Sequence, residues 1–225
     1  VDYRPEQPCC NIDIIGEGLP VWFNARRSDA AASLNLNGLP TAKQEQYLHS
    51  NIERLVEGEW EQYFVARRHP APAPLLPEAE AYRIELRNGR VATEGLCVSP
   101  EGAVYGSLRA AACSAEYGAM VEKWLDSAAD MSDAPTALTR MFVQDGAFVY
   151  LPASVEVQTP IVVDCAYHAE GESEMCFAQA LVVADEGARG EVIVTHRSAG
   201  SGRVMVGFTR EAIVGRAADV HFTEL

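Results

Sequence analysis

The chain has 225 residues, 18 basic against 32 acidic side chains and a formal net charge of −14. Phosphate contacts need clustered Lys and Arg, so that balance excludes a basic nucleic-acid binder as the default reading. With 48% hydrophobic and 22% charged residues the chain is too apolar for wholesale disorder, and it is long enough to bury a core without a metal or disulfide framework.

No run approaches the roughly 20 apolar residues of a membrane-spanning helix. Val1 to Cys10 is acidic and proline-bearing where a secretory signal is basic and then apolar, so a soluble, cytoplasmic protein is expected. The six cysteines, Cys9, Cys10, Cys97, Cys113, Cys165 and Cys176, form no CxxC pair and read as thiols.

In chain order, Leu19 to Leu36 reads as a first helix through Trp22, Phe23, Ala25 and Ala30 to Ala32, stopped by Asn37-Gly38-Leu39-Pro40. Thr41 with Gln44 matches a capping box. The second helix expected from it carries Tyr47, Leu48, Ile52, Leu55, Val56, Trp60, Tyr63 and Phe64 at three- and four-residue steps, an apolar face that must pack on the β part or on a partner. Four prolines between His69 and Pro77 read as an extended connector and a boundary. Beyond it, Tyr82 to Leu86 alternates like a strand, Asn88-Gly89 signals a hairpin and Arg90 to Val98 is the expected return. Ser114 is the expected cap of a helix through Met120, Val121, Trp124 and Leu125, and Asp133 with Pro135 opens another to about Gln144.

After Asp145-Gly146 short β-branched runs take over: Ala147 to Leu151, Ile161 to Asp164, Ala180 to Ala184, Val192 to Thr195, Arg203 to Phe208, Ala212 to Val214 and Val220 to Thr223. Turns rich in Gly or Asp separate them, as in a sandwich, a barrel or a solenoid of stacked coils. Glu186 to Val192 and Val214 to Val220 resemble each other, with Gly187 answering to Gly215 and Val192 to Val220, an offset within the range of a solenoid repeat. Val220 to Leu225 still alternates where the given sequence stops, which predicts a fragment or a last strand that pairs with another chain or a second copy.

Three segments carry a family likeness. They are Gly38-Leu39-Pro40-Thr41 through Tyr47; Pro135 to Thr139 leading into Phe142-Val143-Gln144-Asp145-Gly146-Ala147 and on through Val155-Glu156 to Pro160-Ile161; and Val182 to Ala188 with Val214 to Ala217 about one coil later. With them the chain, from about Leu19 to Leu225, resembles the SufB/SufD family of the iron–sulfur cluster assembly machinery, on its SufD side because of the helical N-terminus. Leu48-His49-Ser50 and Thr139 depart from the family's usual residues.

The resemblance implies a non-enzymatic scaffold subunit that acts with a SufB-like subunit and a SufC-like ATPase, the partner-docking regions lying beyond Leu225. It implies no cofactor in this segment, with iron or Fe–S association only at the level of the complex. The fold class expected is α+β: a helical region over 1–70, a mixed linker segment over 71–141, and over 142–225 the first coils of a parallel, right-handed β-helix.

The chemistry-bearing motifs that would argue otherwise are few. A phosphate loop, GxSxG and HExxH are all absent, and Lys43 and Lys123, the only lysines, fall in predicted helices. His168, His196 and His221 recur at nearly even intervals, a spacing that would stack them on successive coils near Cys165 and Cys176; these five are the metal-ligand candidates. Glu170, Glu172, Glu174, Asp185 and Glu186 read as a solvated acidic rim, and as the acid–base or calcium site of a β-helical carbohydrate-active enzyme under the alternative reading. A β-sandwich binding module is the third reading.

Overall fold

A computed structural model describes residues 15–41, 44–50, 52, 61–62, 74–76, 80–92, 95–171 and 173–225. It is α+β, with helices laid on one of two mixed sheets.

Helix α1 spans Val21–Asn37 and ends where Gly38 adopts φ 70° and returns its N–H to the Leu34 carbonyl at 2.8 Å, the glycine stop read from the sequence. Phe23, Arg27, Ala30 and Leu34, spaced by three and four, form its buried stripe. Most of the expected second helix lies outside the described residues, as do Cys9, Cys10 and nearly all of the proline connector. At the described positions Glu45–Tyr47 is one 3₁₀ turn, and Glu61–Gln62 is strand β1 rather than helix.

The hairpin is present as strands β2 (Tyr82–Arg87) and β3 (Arg90–Val91), with Asn88 and Gly89 both at positive φ. The return is shorter than expected. Leu96–Val98, β4, belongs to the other sheet, where it pairs with β5 (Val104–Ser107). Helix α2, Leu108–Cys113, was not anticipated, and Ser107 caps it by accepting the Ala110 amide. Ser114 instead closes a turn onto the amides of Glu116 and Tyr117, so α3 runs only over Gly118–Trp124. Asp133 caps α4, Ala134–Phe142, through the Thr136 amide as expected.

Strands β6 (Gly146–Leu151), β7 (Ile161–His168), β8 (Ser173–Ala184), β9 (Arg189–Ala199), β10 (Arg203–Val214) and β11 (Asp219–Glu224) are longer than their β-branched cores, and two expected strands fuse into β10. From β6 onward consecutive strands alternate between the sheets, and from β8 onward each pairs in parallel with the strand two before it. One sheet runs β4-β5-β6-β8-β10, with β1 on β8 beside β6; the other runs β3-β2-β7-β9-β11. The register pairs Ser173 with Arg203 and Arg189 with Asp219, a slightly longer repeat than the Val192-to-Val220 offset read from the sequence; Val220 instead faces Gly190.

The corrected offset follows from the turns. Ser154, Gly187 and Ala217 are each the third residue of a tight turn, with φ of 61°, 72° and 57°. The sequence comparison matched Gly187 to Gly215, whereas the backbone matches it to Ala217. The same hydrogen bonds recur between levels, Ser154 N to Glu186 O at 2.9 Å and Gly187 N to Arg216 O at 3.0 Å.

Side chains of β8 alternate between two cores. Cys176, Ala178, Ala180, Val182 and Ala184 face the second sheet, packing with Val149, Val163, Cys165, Val192 and Val194. Phe177, Leu181 and Val183 face the helices, where Phe23, Leu108, Val121, Leu138 and Phe142 cover them. A strand buried on both faces reads as a continuous apolar run, which β8 is.

The acidic rim does not form. Its two turns lie at opposite ends of β8, and Glu174 is buried, accepting from Asn88 Nδ2 at 3.0 Å. Glu170 and Glu186 are exposed and bind His168 and Arg216, while Glu172 lies outside the described residues.

Candidate functional site

The five candidate ligands divide between environments. Tyr167 and Cys165, two residues apart on β7, share the inner face, so His168 projects from the opposite one. His168 binds Glu170 through Nε2 at 3.1 Å, and its amide donates to Asn88 Oδ1 at 2.8 Å. His221 is three-quarters exposed and lies 3.8 Å from Asp219. The register sets His196 opposite Cys165 and puts Ala199 opposite His168, because the winding does not repeat at the interval between the histidines. Among the described residues no cluster of three or more His, Cys, Asp or Glu is placed to hold a metal ion.

Cys165, Cys176 and His196 do gather, around Tyr167. The Tyr167 hydroxyl and His196 Nδ1 are hydrogen-bonded at 2.9 Å, and Nε2 of the same ring is hydrogen-bonded to Glu224 Oε1 at 3.0 Å. The two rings stack nearly parallel, and Phe208 meets His196 edge-on. Arg210 closes the chain by pairing with Glu224. Four strands, β7, β9, β11 and β10, are thus joined by side chains at one level. Burial pushes both thiols up to about 12 and raises the Tyr167 phenol further. Burial, then the Arg210 guanidinium, holds His196 below the usual imidazole range. A cavity of about 540 Å³ opens beside this chain, bounded by Val204, Val206 and Phe208.

This level lies where the two sheets open. Among the described residues β10 pairs only with β8 and β11 only with β9, so each has a free edge. Inward-facing side chains are correspondingly exposed there, Val206 at 39%, Val214 at 50% and Phe222 at 37%.

A second constellation explains the Gln144-Asp145-Gly146-Ala147 motif. Asp145 Oδ1 accepts from Ser107 Oγ at 2.8 Å and from the amides of Gly146 and Arg109 at 2.8 and 3.0 Å. Burial, the largest influence, raises the Asp145 carboxyl, and the donors only partly offset it. Gln144 accepts from Arg90, and Gly146 lies so close to β8 that a Cβ there would overlap the Gln179 carbonyl. The motif ties the hairpin, α2 and the start of β6 to the middle of β8.

A third cluster carries no sequence signature. Arg27 and Arg140, both fully buried, flank the Phe23 ring under α1. Arg27 donates to the Met141 and Val143 carbonyls at 2.6 and 2.7 Å, closing the end of α4, and burial lowers its guanidinium to about 9. Arg140 pairs with Asp126 at 2.6 Å. Gln179 donates to the same carboxylate, and Glu211 of β10 accepts the Asp126 and Ala128 amides. Arg27 and its acceptors stand far apart in the chain, beyond the reach of spacing arguments.

None of these arrangements pairs an activated nucleophile with a base; the Cys165 and Cys176 thiols are enclosed and held protonated. They fix strands and helices to one another, and among the described residues β10 and β11 each carry a strand on one side only. Among the described residues no helix is long and apolar enough to cross a membrane. No curated protein matches the chain. Residues 10–163 match the family described as SufBD protein N-terminal region, about two thirds of the sequence, and the chain therefore belongs to the SufB/SufD family of iron–sulfur cluster assembly proteins.

Proposed function

We propose that the chain is a SufD-type scaffold subunit, not itself an enzyme, that acts in the cytoplasm in a complex with a SufB-like subunit and a SufC-like ATPase. The family match over residues 10–163 is the observation that carries this reading. In it, the alternation of strands between two sheets, each in parallel register with the strand two before it, is the beginning of a right-handed parallel β-helix, and the free edges of β10 and β11 receive further strands. Iron or a cluster associates with the complex, and this segment holds no cofactor of its own.

The absence of a phosphate loop is consistent with ATP hydrolysis being supplied by a partner. Dispersal of the acidic residues to both ends of β8 removes the support for a carbohydrate-active site. The test is co-expression of the uncut gene product with a SufB-like and a SufC-like subunit. A stable complex that elutes together in size exclusion supports the proposal. Elution of the protein apart from both, or turnover of polysaccharide by the protein alone, overturns it.

A further inference from the structure

We propose that the cleft between the β2–β3 hairpin and α2 binds a small organic acid, its carboxylate seated between the Arg90 and Arg109 guanidinium groups and its apolar body on Ile15 and Val91. The assignment is independent of the scaffold reading, and none of the cleft's described lining residues belongs to β10 or β11.

Volume, position and charge converge here. The cleft encloses about 810 Å³, inside the range of roughly 300–1,000 Å³ of small-molecule sites, and it lies at a seam between packed units, where such sites are commonest. Its buried floor is Ser107, Gln144 and Asp145, and its exposed mouth is Glu17, Gly18 and Cys113. Arg90 reaches it from β3 and Arg109 from α2, both half-buried.

Arg90 donates to the neutral side-chain oxygen of Gln144. Among the described residues the Arg109 side chain hydrogen-bonds only to the Glu17 carbonyl, through Nη2. Gly18, at φ 72°, makes room for that group, since a Cβ there would stand 2.9 Å from it. The Asp145 carboxylate on the floor is already engaged: Oδ1 takes Ser107 Oγ and the Arg109 and Gly146 amides, and Oδ2 takes the Val91 amide at 3.4 Å. Positive charge gathers at this end of a chain whose net charge is −14. Burial lowers the Arg27 guanidinium, and repulsion from Arg140 and Arg109 adds to it. Guanidinium groups match the plane of a carboxylate. With Glu17 and Asp145 in the same lining, one negative charge is accommodated better than two, which favours a carboxylate over a phosphate.

Cys113 at the mouth reports occupancy, and Cys97, also exposed but not among the described lining residues, is the control. The full chain is labelled with iodoacetamide in the presence of isocaproate, an aliphatic carboxylate, against equal chloride, and each thiol is quantified by peptide mapping. Isocaproate at about ten times its dissociation constant leaves roughly one cleft in eleven open, so labelling of Cys113 slows about tenfold while that of Cys97 is unchanged. The protection is lost in Arg109→Gln and, should that variant not fold, in Arg90→Gln. Failure of isocaproate to slow Cys113 in the parent at about 50 mM, well above a millimolar dissociation constant, overturns the proposal. So does equal protection by isocaproamide, which keeps the shape without the charge, or by inorganic phosphate, or protection undiminished in the folded arginine variants.

Discussion

Asp145 is the most exacting test of how the helical layer is attached to the sheets. Replacing it by Ala removes the acceptor of three short hydrogen bonds, from Ser107 Oγ and the Arg109 and Gly146 amides, and leaves those donors enclosed. Hydrogen bonds to a charged acceptor contribute about 1.5–3 kcal/mol each, but burial of the carboxylate offsets part of the sum, so a net loss of about 3 kcal/mol is expected. Asn retains the Oδ1 position that accepts all three. It changes only the oxygen that meets the Val91 amide at 3.4 Å, so Asp145→Asn should cost about 1 kcal/mol. Urea unfolding at pH 7 with an unchanged m value measures both.

The pH dependence of the same pair is a further check. The folded pKa of Asp145 is raised, so its contribution is fully present below the unfolded value of 3.8 and is lost as pH rises through the folded value. The parent's advantage over the Asn variant is therefore larger at low pH than at neutrality. If Ala costs less than about 1 kcal/mol, or Asn costs as much as Ala, the reading of Asp145 as a shared acceptor is wrong.

Gly146→Ala drives a Cβ into the Gln179 carbonyl and should cost about 3 kcal/mol or more, lowering the melting temperature by roughly 6–12 °C in calorimetry. Arg140→Ala leaves the buried Asp126 carboxylate only the Gln179 amide and Arg26 at 3.8 Å and should cost about 3 kcal/mol by denaturant unfolding; a loss below about 1 kcal/mol would show that the buried pair is not built as described. Peptide mapping after brief native alkylation should find Cys97 and Cys113 modified and Cys165 and Cys176 untouched, since the last two are enclosed and held near 12. Equal labelling of all four would refute the packing of the inner core.

Where the sequence was legible, local chemistry sufficed: the Gly38 stop of α1, the Asn88-Gly89 hairpin and the Asp133 cap are each decided by near neighbours in the chain. Strand ends were not, because the inner face of β8 is built from Cys176, Ala178 and Ala180, residues with no strand preference that are there for their size. The return strand broke at Val91 because its continuation joins the other sheet, a choice made by tertiary pairing. The histidines were judged by sequence spacing, but the level of each is set by backbone register, which turns on Ala217 occupying the position that Gly187 fills one turn earlier. A left-handed Ala leaves no mark in the sequence that a glycine search can find.

The same limit applies to the polar residues on the outer face of the first sheet, and there it bears on what the helical region is for. Gln179 and Glu211 lie on neighbouring strands, and both reach the loop after α3, Gln179 through the Asp126 carboxylate and Glu211 through two backbone amides. Gly207 lets α4 lie against β10, since a Cβ there would strike Thr139 and the Phe177 ring at 2.5 Å. The helices therefore grip two successive levels of the winding and not only the first. Separating those levels would pull either Gln179 from the Asp126 carboxylate or the Glu211 carboxylate from the Asp126 and Ala128 amides, leaving a buried polar group without its partner. The helical layer thus acts as a clamp that holds adjacent strands in register, and the rigidity of the stacked strands originates in buried charge as much as in apolar packing.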